Sequence, residues 1–184
     1  MLENLEEHIK VLRETVRVYE EEITNVANEC CRRLKNGGKI YLIGNGGSAA
    51  DAQHMAAELV GCFNKKNRKA LPAIALTTDT SVITSVSNDF TYDYVFSRQI
   101  EAFVTEKDIV IAISTSGNSK NIVNALIQAK KKNSYTVGLS GNNGGEMNTY
   151  CNKNIIVNST KTPIIQELHL FIEHSICNII DNQF

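Results

Sequence analysis

Two short stretches and a few ionisable side chains carry the chemistry open to this chain. Ser114-Thr115-Ser116-Gly117-Asn118-Ser119 places four hydroxyls within six residues, directly ahead of a helical pattern. Hydroxyls can donate, and the free amides and dipole of a helix start favour negative charge, so the turn suits a phosphate monoester. A serine-rich turn can also do no more than cap a helix. No Walker lysine is present, which argues against a nucleoside triphosphate. The other stretch, Leu42 to His54, reads "LIGNGGSAADAQH" and lays Gly44, Gly46 and Ala49 on the dinucleotide pattern G-x-G-x-x-G/A. A dinucleotide site also needs an acid closing the second strand about 20 residues later. Here that strand begins near Pro72 and runs into Thr77-Thr78-Asp79, so the spacing is poor. The same loop equally offers its free amides to an anion or a hydroxyl oxygen.

Candidates for proton transfer follow the first loop and recur near the end of the chain. His54 and Glu58 stand at i and i+4, on one face of the helix that leaves the glycine loop. Gln166, His169 and His174 share the final helix, and Asn88 and Asp89 form a polar pair after the Thr-rich segment that follows the second strand. A phosphate cradle, a carboxylate and an imidazole with no cofactor motif suit aldose-ketose isomerisation. In that reaction one base moves a proton between adjacent carbons and a second group serves the oxygens. Composition and spacing permit this reaction without singling it out.

The elements that must position these groups follow from periodicity. Residues 2 to about 35 repeat apolar positions at helical spacing (Leu5, Ile9, Leu12, Val16, Tyr19, Ile23, Val26, Leu34) and stop at Asn36 to Gly38. Such an arm fits either a helical hairpin lid or an oligomer interface. Five short β-branched runs follow at 39–43, 72–76, 109–113, 136–140 and 154–157, with helical stretches between them. This alternation predicts an α/β three-layer sandwich around a five-stranded parallel sheet, with ligands beyond the carboxyl ends of the first three strands. The last helix is expected to start with Thr162 as N-cap and Pro163 in its first turn. The basic runs 65–69 and 130–132 read as solvated loop and helix-end charge, attraction of an anionic ligand being the alternative.

The whole composition sets bounds. A chain of 184 residues predicts one domain, 1–184, with residues 2–36 as its helical arm. A net charge of -1 argues against a general nucleic-acid or membrane-surface binder. The acid-bearing N-terminus has no long apolar run, so the expected location is the cytoplasm. Five cysteines (Cys30, Cys31, Cys62, Cys151, Cys177) without C-x-x-C spacing read as reduced packing residues.

Six segments, "GNGGSAADAQHMAAEL", "PAIALTTDTSVITSVSNDF", "VFSRQIEA", "ISTSGNS", "GGEM" and "IQELHLFIEH", resemble the phosphoheptose isomerases of the sugar isomerase (SIS), flavodoxin-like fold, in that family's order. The resemblance covers nearly the whole chain. It implies interconversion of sedoheptulose 7-phosphate and D-glycero-D-manno-heptose 7-phosphate, the first step of bacterial heptose synthesis for lipopolysaccharide or capsule, by a cytoplasmic homotetramer with sites at subunit interfaces. It assigns Ser114, Thr115, Ser116 and Ser119 to the phosphate, and Asn45, Gly46, Gly47, Asn88, Asp89 and Gln166 to the sugar. Glu58 becomes the base at carbon and His174 the acid or base at oxygen. Some family members hold one zinc per subunit with residues matching His54, Glu58, Gln166 and His174, so zinc is an optional group here, and no nucleotide cofactor is implied. Two positions depart from the family: Cys62 and Ile164 stand where Arg is common. A related SIS protein that binds the replication initiator shares the style of the ending "CNIIDNQF" but lacks the acid-base pair, which this chain keeps. Gln166 and His174 lie eight residues apart, about 12 Å along one helix. One of them is therefore expected to complete a neighbouring subunit's site.

Overall fold

The computed structural model describes residues 1–184. The five apolar runs form one parallel sheet of β1 (Ile40–Gly44), β2 (Ala73–Ala75), β3 (Ile109–Ser114), β4 (Tyr135–Gly141) and β5 (Lys153–Val157) in the order β2-β1-β3-β4-β5. Alternate residues serve opposite faces, as the strand period requires. Ile40 and Leu42 join a cluster under α1 (Leu2–Lys35), α2 (Gly47–Val60) and α6 (Thr162–Asp181), whereas Tyr41 and Ile43 join one under α4 (Val95–Phe103) and α5 (Lys120–Lys131). These are the three expected layers. No helix is long and apolar enough to cross a membrane.

Several local expectations are corrected. The N-terminal arm is a single 34-residue helix, not a hairpin, because nothing before Asn36 interrupts its apolar stripe. Its first turns leave Leu2, Leu5 and Ile9 exposed. The segment after β2 is helical, α3 (Thr80–Asp89), although its Thr, Ser and Val residues are poor helix formers. The Asp79 side chain caps it by accepting from the Val82 amide at 3.0 Å, so the acid that closes the second strand is occupied locally. At α6 the N-cap is Lys161, without a side-chain cap bond. Thr162 is already helical, and Pro163 removes only an amide that the first turn leaves free anyway. Cys30, Cys31 and Cys177 are buried and all five thiols are free, but Cys62 is exposed and so packs nothing.

The basic run 65–69 also needs correction at one residue. Arg68 is buried and pairs with buried Asp181, Nε to Oδ1 at 2.6 Å. The other Asp181 oxygen accepts from the amides of Asn64 (3.0 Å) and Lys65 (2.8 Å). Burial pushes the Asp181 carboxyl up, but the bonds from Arg68, Lys65 and Asn64 outweigh it and hold the group below its ordinary value. Asp181→Ala leaves a buried guanidinium unpaired and should cost about 3–5 kcal/mol in a denaturant titration at pH 7. The lowered native value means that this stabilisation is complete above about pH 4 and fades as pH falls through that lower value.

Glu173 is the converse case. Its carboxyl is fully buried on α6 with neither oxygen hydrogen-bonded, and burial, then the charge of Asp51, raise it well above an ordinary carboxyl. A raised native value costs stability as pH climbs above the unfolded value of about 4.3. Glu173→Leu should therefore raise the unfolding free energy by about 1–3 kcal/mol at pH 8 and by less at pH 4. An equal gain from the substitution at both pH values would contradict this.

Candidate active site

β1 and β3 are neighbours in the sheet, but the chain leaves them in opposite directions, β1 toward β2 and β3 toward β4. This is a topological switch point, where open α/β sheets bind ligands. The two expected loops meet there. Asn45, just past β1, and Asn121, in the first turn of α5, exchange amide bonds of 2.9 and 2.8 Å, and the Tyr92 hydroxyl donates to Asn45 Oδ1 at 3.0 Å. The main chain turns into α2 through Gly46 at φ 55°, a value that favours glycine. A Cβ on Gly47 would lie 1.9 Å from Gln166 Nε2, so this glycine admits the α6 side chain to the loop.

The hydroxyl loop after β3 is arranged as a cradle. Gly117 turns at φ 67°, and Ser119, the N-cap of α5, makes no side-chain cap bond. Its hydroxyl instead faces Ser114 Oγ at 3.2 Å, with Ser116 Oγ 3.5 Å from the same atom. The capping reading of these serines therefore fails for Ser119. Three hydroxyls converge beside a helix N-terminus, a geometry suited to an anionic oxygen group.

α2 and α6 both start at this sheet edge and lie side by side. Gln166 meets Gly47 beside Asp51, whose carboxyl is raised by burial against the pull of Gln166 and His54. Further along, His54 Nε2 and His174 Nε2 are 2.8 Å apart, so one ring supplies the proton and the other the lone pair. Glu58 Oε1 stands 3.6 Å from the same His54 nitrogen, and the Phe63 ring packs on His174 with centroids 5.5 Å apart. His54, Glu58 and His174 are thus brought together within one chain, and Gln166 is not. Asn88 and Asp89 are exposed at the end of α3, where the Asn88 amide and the Ser85 hydroxyl both donate to the Asp89 carboxylate. His169 is a packing residue: burial lowers its imidazole to about 4 despite the bond of Nε2 to the Ser140 carbonyl.

The donor set does not assemble a four-ligand zinc site in one chain. No three His, Cys, Asp or Glu side chains are placed to hold a metal. Gln166 is engaged at Gly47, and the two imidazole nitrogens are at direct hydrogen-bond distance. Sequence reasoning also passed over Asn121, Tyr92, Asp51 and Arg68. Asp51 had a signal, since it precedes His54 by three residues and shares its face. The other three gain their partners only through tertiary packing.

Residues 4–141 match the SIS domain family. The phosphoheptose isomerase of Aliarcobacter butzleri is 50% identical over 176 residues, covering 96% of this chain and 93% of that protein. The chain belongs to the SIS-domain phosphoheptose isomerases. Solved phosphoheptose isomerases of the same family superpose closely. The Neisseria gonorrhoeae enzyme has a TM-score of 0.92 at 37% identity, covering 98% of this chain and 96% of that one, and the Francisella tularensis enzyme 0.94 at 36%, covering 98% and 95%. At the two positions where Arg was expected, this family member has Cys62 exposed next to Phe63 and Ile164 buried at the start of α6. Neither can place a cation at the site.

Proposed function

We infer that the protein is a phosphoheptose isomerase that interconverts sedoheptulose 7-phosphate and D-glycero-D-manno-heptose 7-phosphate. One observation carries the reading. In a chain half identical to a phosphoheptose isomerase, Glu58 and His174 stand on facing turns of α2 and α6, joined through His54. The Ser114, Thr115, Ser116 and Ser119 loop holds the phosphate, with Asn45, Gly46, Gly47, Gln166, Asn88 and Asp89 on the sugar. The Glu58 carboxylate takes the proton from one carbon to give an enediol and returns it to the adjacent carbon. His174 gives and takes the matching protons at oxygen, so no net proton or electron is consumed.

The active unit in this reading is an oligomer, a tetramer, with residues 2–36 of the 184-residue SIS domain as its arm. Glu58 lies eleven residues beyond Gly47 on α2, about 16 Å of rise. The acid-base pair is thus displaced from the cradle of its own chain, and sites at subunit interfaces remove that gap. Exposed Leu2, Leu5 and Ile9 on α1 and the absence of buried residues on α3 leave apolar surface for such contacts. The setting is the cytoplasm, at the first step toward heptose for lipopolysaccharide or capsule. Zinc is an accessory here, because Gln166 from another copy would have to join His54, Glu58 and His174. The test is incubation of purified protein with sedoheptulose 7-phosphate, following heptose 7-phosphate, before and after chelation and zinc restoration. Isomerisation is expected in all three states. An inactive protein in every state would return the chain to the non-catalytic, initiator-binding alternative.

A further inference from the structure

We propose that the buried Arg68–Asp181 pair is a positioning element of the isomerase, fixing the spacing between Glu58 and His174. The proposal rests on those two residues being the acid-base pair. Glu58 sits in the last turn of α2, where four carbonyls have no helical partner and the backbone ordinarily frays. α2 ends at Gly61 with φ -80° and ψ -111°, so no left-handed closing motif satisfies those carbonyls; Gly61 N bonds to Ala57 O and Leu71 N to Leu59 O, which leaves the Glu58 carbonyl without a backbone donor. Arg68 takes over that task. Its guanidinium donates to the carbonyls of Glu58 itself (2.8 Å) and Leu59 (2.9 Å), and to Lys69 O at 2.7 Å.

The other half of the clamp reaches His174. Asp181 ends α6, and its carboxylate gathers Arg68 and the amides of Asn64 and Lys65, while Asn64 Nδ2 bonds to Asn178 Oδ1 at 3.1 Å. The strap from Gly61 to Arg68 is thereby drawn across α6, which seats Phe63 against the His174 ring. One ion pair thus sets both the last turn that bears the base and the ring wall beside the imidazole. Because the guanidinium bonds directly to the carbonyl of Glu58, a change in the geometry of its fork reaches the residue that bears the base.

The test measures kcat and KM for sedoheptulose 7-phosphate with Arg68→Lys, which keeps the charge but loses the planar fork. Rates are taken below the unfolding transition and normalised to the folded fraction. The expected result is a fall in kcat of about 10- to 100-fold with KM within about threefold of wild type, because the cradle at the far end of α2 is untouched. In a Glu58→Gln background the same substitution should add less than about twofold, since it acts through Glu58. Asp181→Asn repeats the measurement with a neutral acceptor of the same shape. Unchanged kcat in the folded variants, a rise in KM matching the fall in kcat, or losses that multiply in the double variant would each overturn the proposal, and so would failure of both variants to fold at any temperature. If Glu58→Gln alone kept wild-type activity, the acid-base assignment would be what fails.

Discussion

Glu58→Gln should lower kcat by roughly 100- to 10,000-fold with little change in KM or in the thermal midpoint. The substitution preserves shape and hydrogen-bonding reach while removing the catalytic function proposed for the side chain, reversible capture of a carbon-bound proton. Glu58 is half-buried on a turn whose apolar face packs through Met55, Ala56 and Leu59, so an isosteric amide has no packing consequence to confuse the reading. His174→Ala should fall within the same range, because proton transfer at oxygen is as necessary as transfer at carbon. It also frees Phe63 and His54 from their shared contact, so its midpoint shift should exceed that of Glu58→Gln. The check is steady-state kinetics with exchange of solvent deuterium into the sugar. Loss of turnover together with loss of exchange is expected for Glu58→Gln. Wild-type exchange in that variant would remove Glu58 from the proton path.

Mixing two dead proteins should restore activity. A carboxylate placed in the cradle by Ser116→Asp repels the substrate phosphate, and Glu58→Gln removes the base, so each variant alone should be inactive. If an active site takes its cradle from one subunit and its acid-base pair from another, randomly mixed oligomers contain intact sites, about one in four for equal amounts. If each site comes from a single chain, every site carries one lesion and the mixture stays dead. The 16 Å of helix between Gly47 and Glu58 favours the first outcome. Co-expression followed by assay of the purified mixture decides it. Repeating the experiment with Gln166→Ala against His174→Ala asks whether those two α6 residues also serve different sites.

The layered α/β fold was legible because buried parallel strands must be short and β-branched, and the helices between them must show a 3.6-residue stripe. α3 was not, because residues 80–89 carry poor helix formers and their helix depends on the Asp79 cap and on packing of Ile83 and Val86 against the cluster under α4. Within the site, the hydroxyl loop and the His54, Glu58 pair could be read from local spacing alone. Pairing of His54 with His174 needed α2 and α6 to run side by side, which no local pattern states. Arg68 was hidden for a different reason. It sits among Lys65, Lys66 and Lys69, and only the distant Asp181 distinguishes it from its solvated neighbours. Asp51 and Glu173 show the same limit, since two carboxyls 122 positions apart in the chain become electrostatic neighbours only after the last helix docks.

α1 and α6 lie together in one apolar cluster, with Val11, Ile23, Val26 and Cys30 of the first helix joining Ile172, Ile176 and Ile180 of the last. During synthesis α1 is therefore made well before α6, the helix that covers much of its apolar face. Until then a long greasy face stands open to any other nascent chain, the condition under which aggregation competes with folding. Loss of α6 would be punished out of proportion to its length, because it uncovers the apolar face of α1 as well as deleting its own. If copies assemble through the exposed first turns of α1, that contact can form before the chain's own core is finished, and assembly on polysomes becomes a route that shortens the exposure.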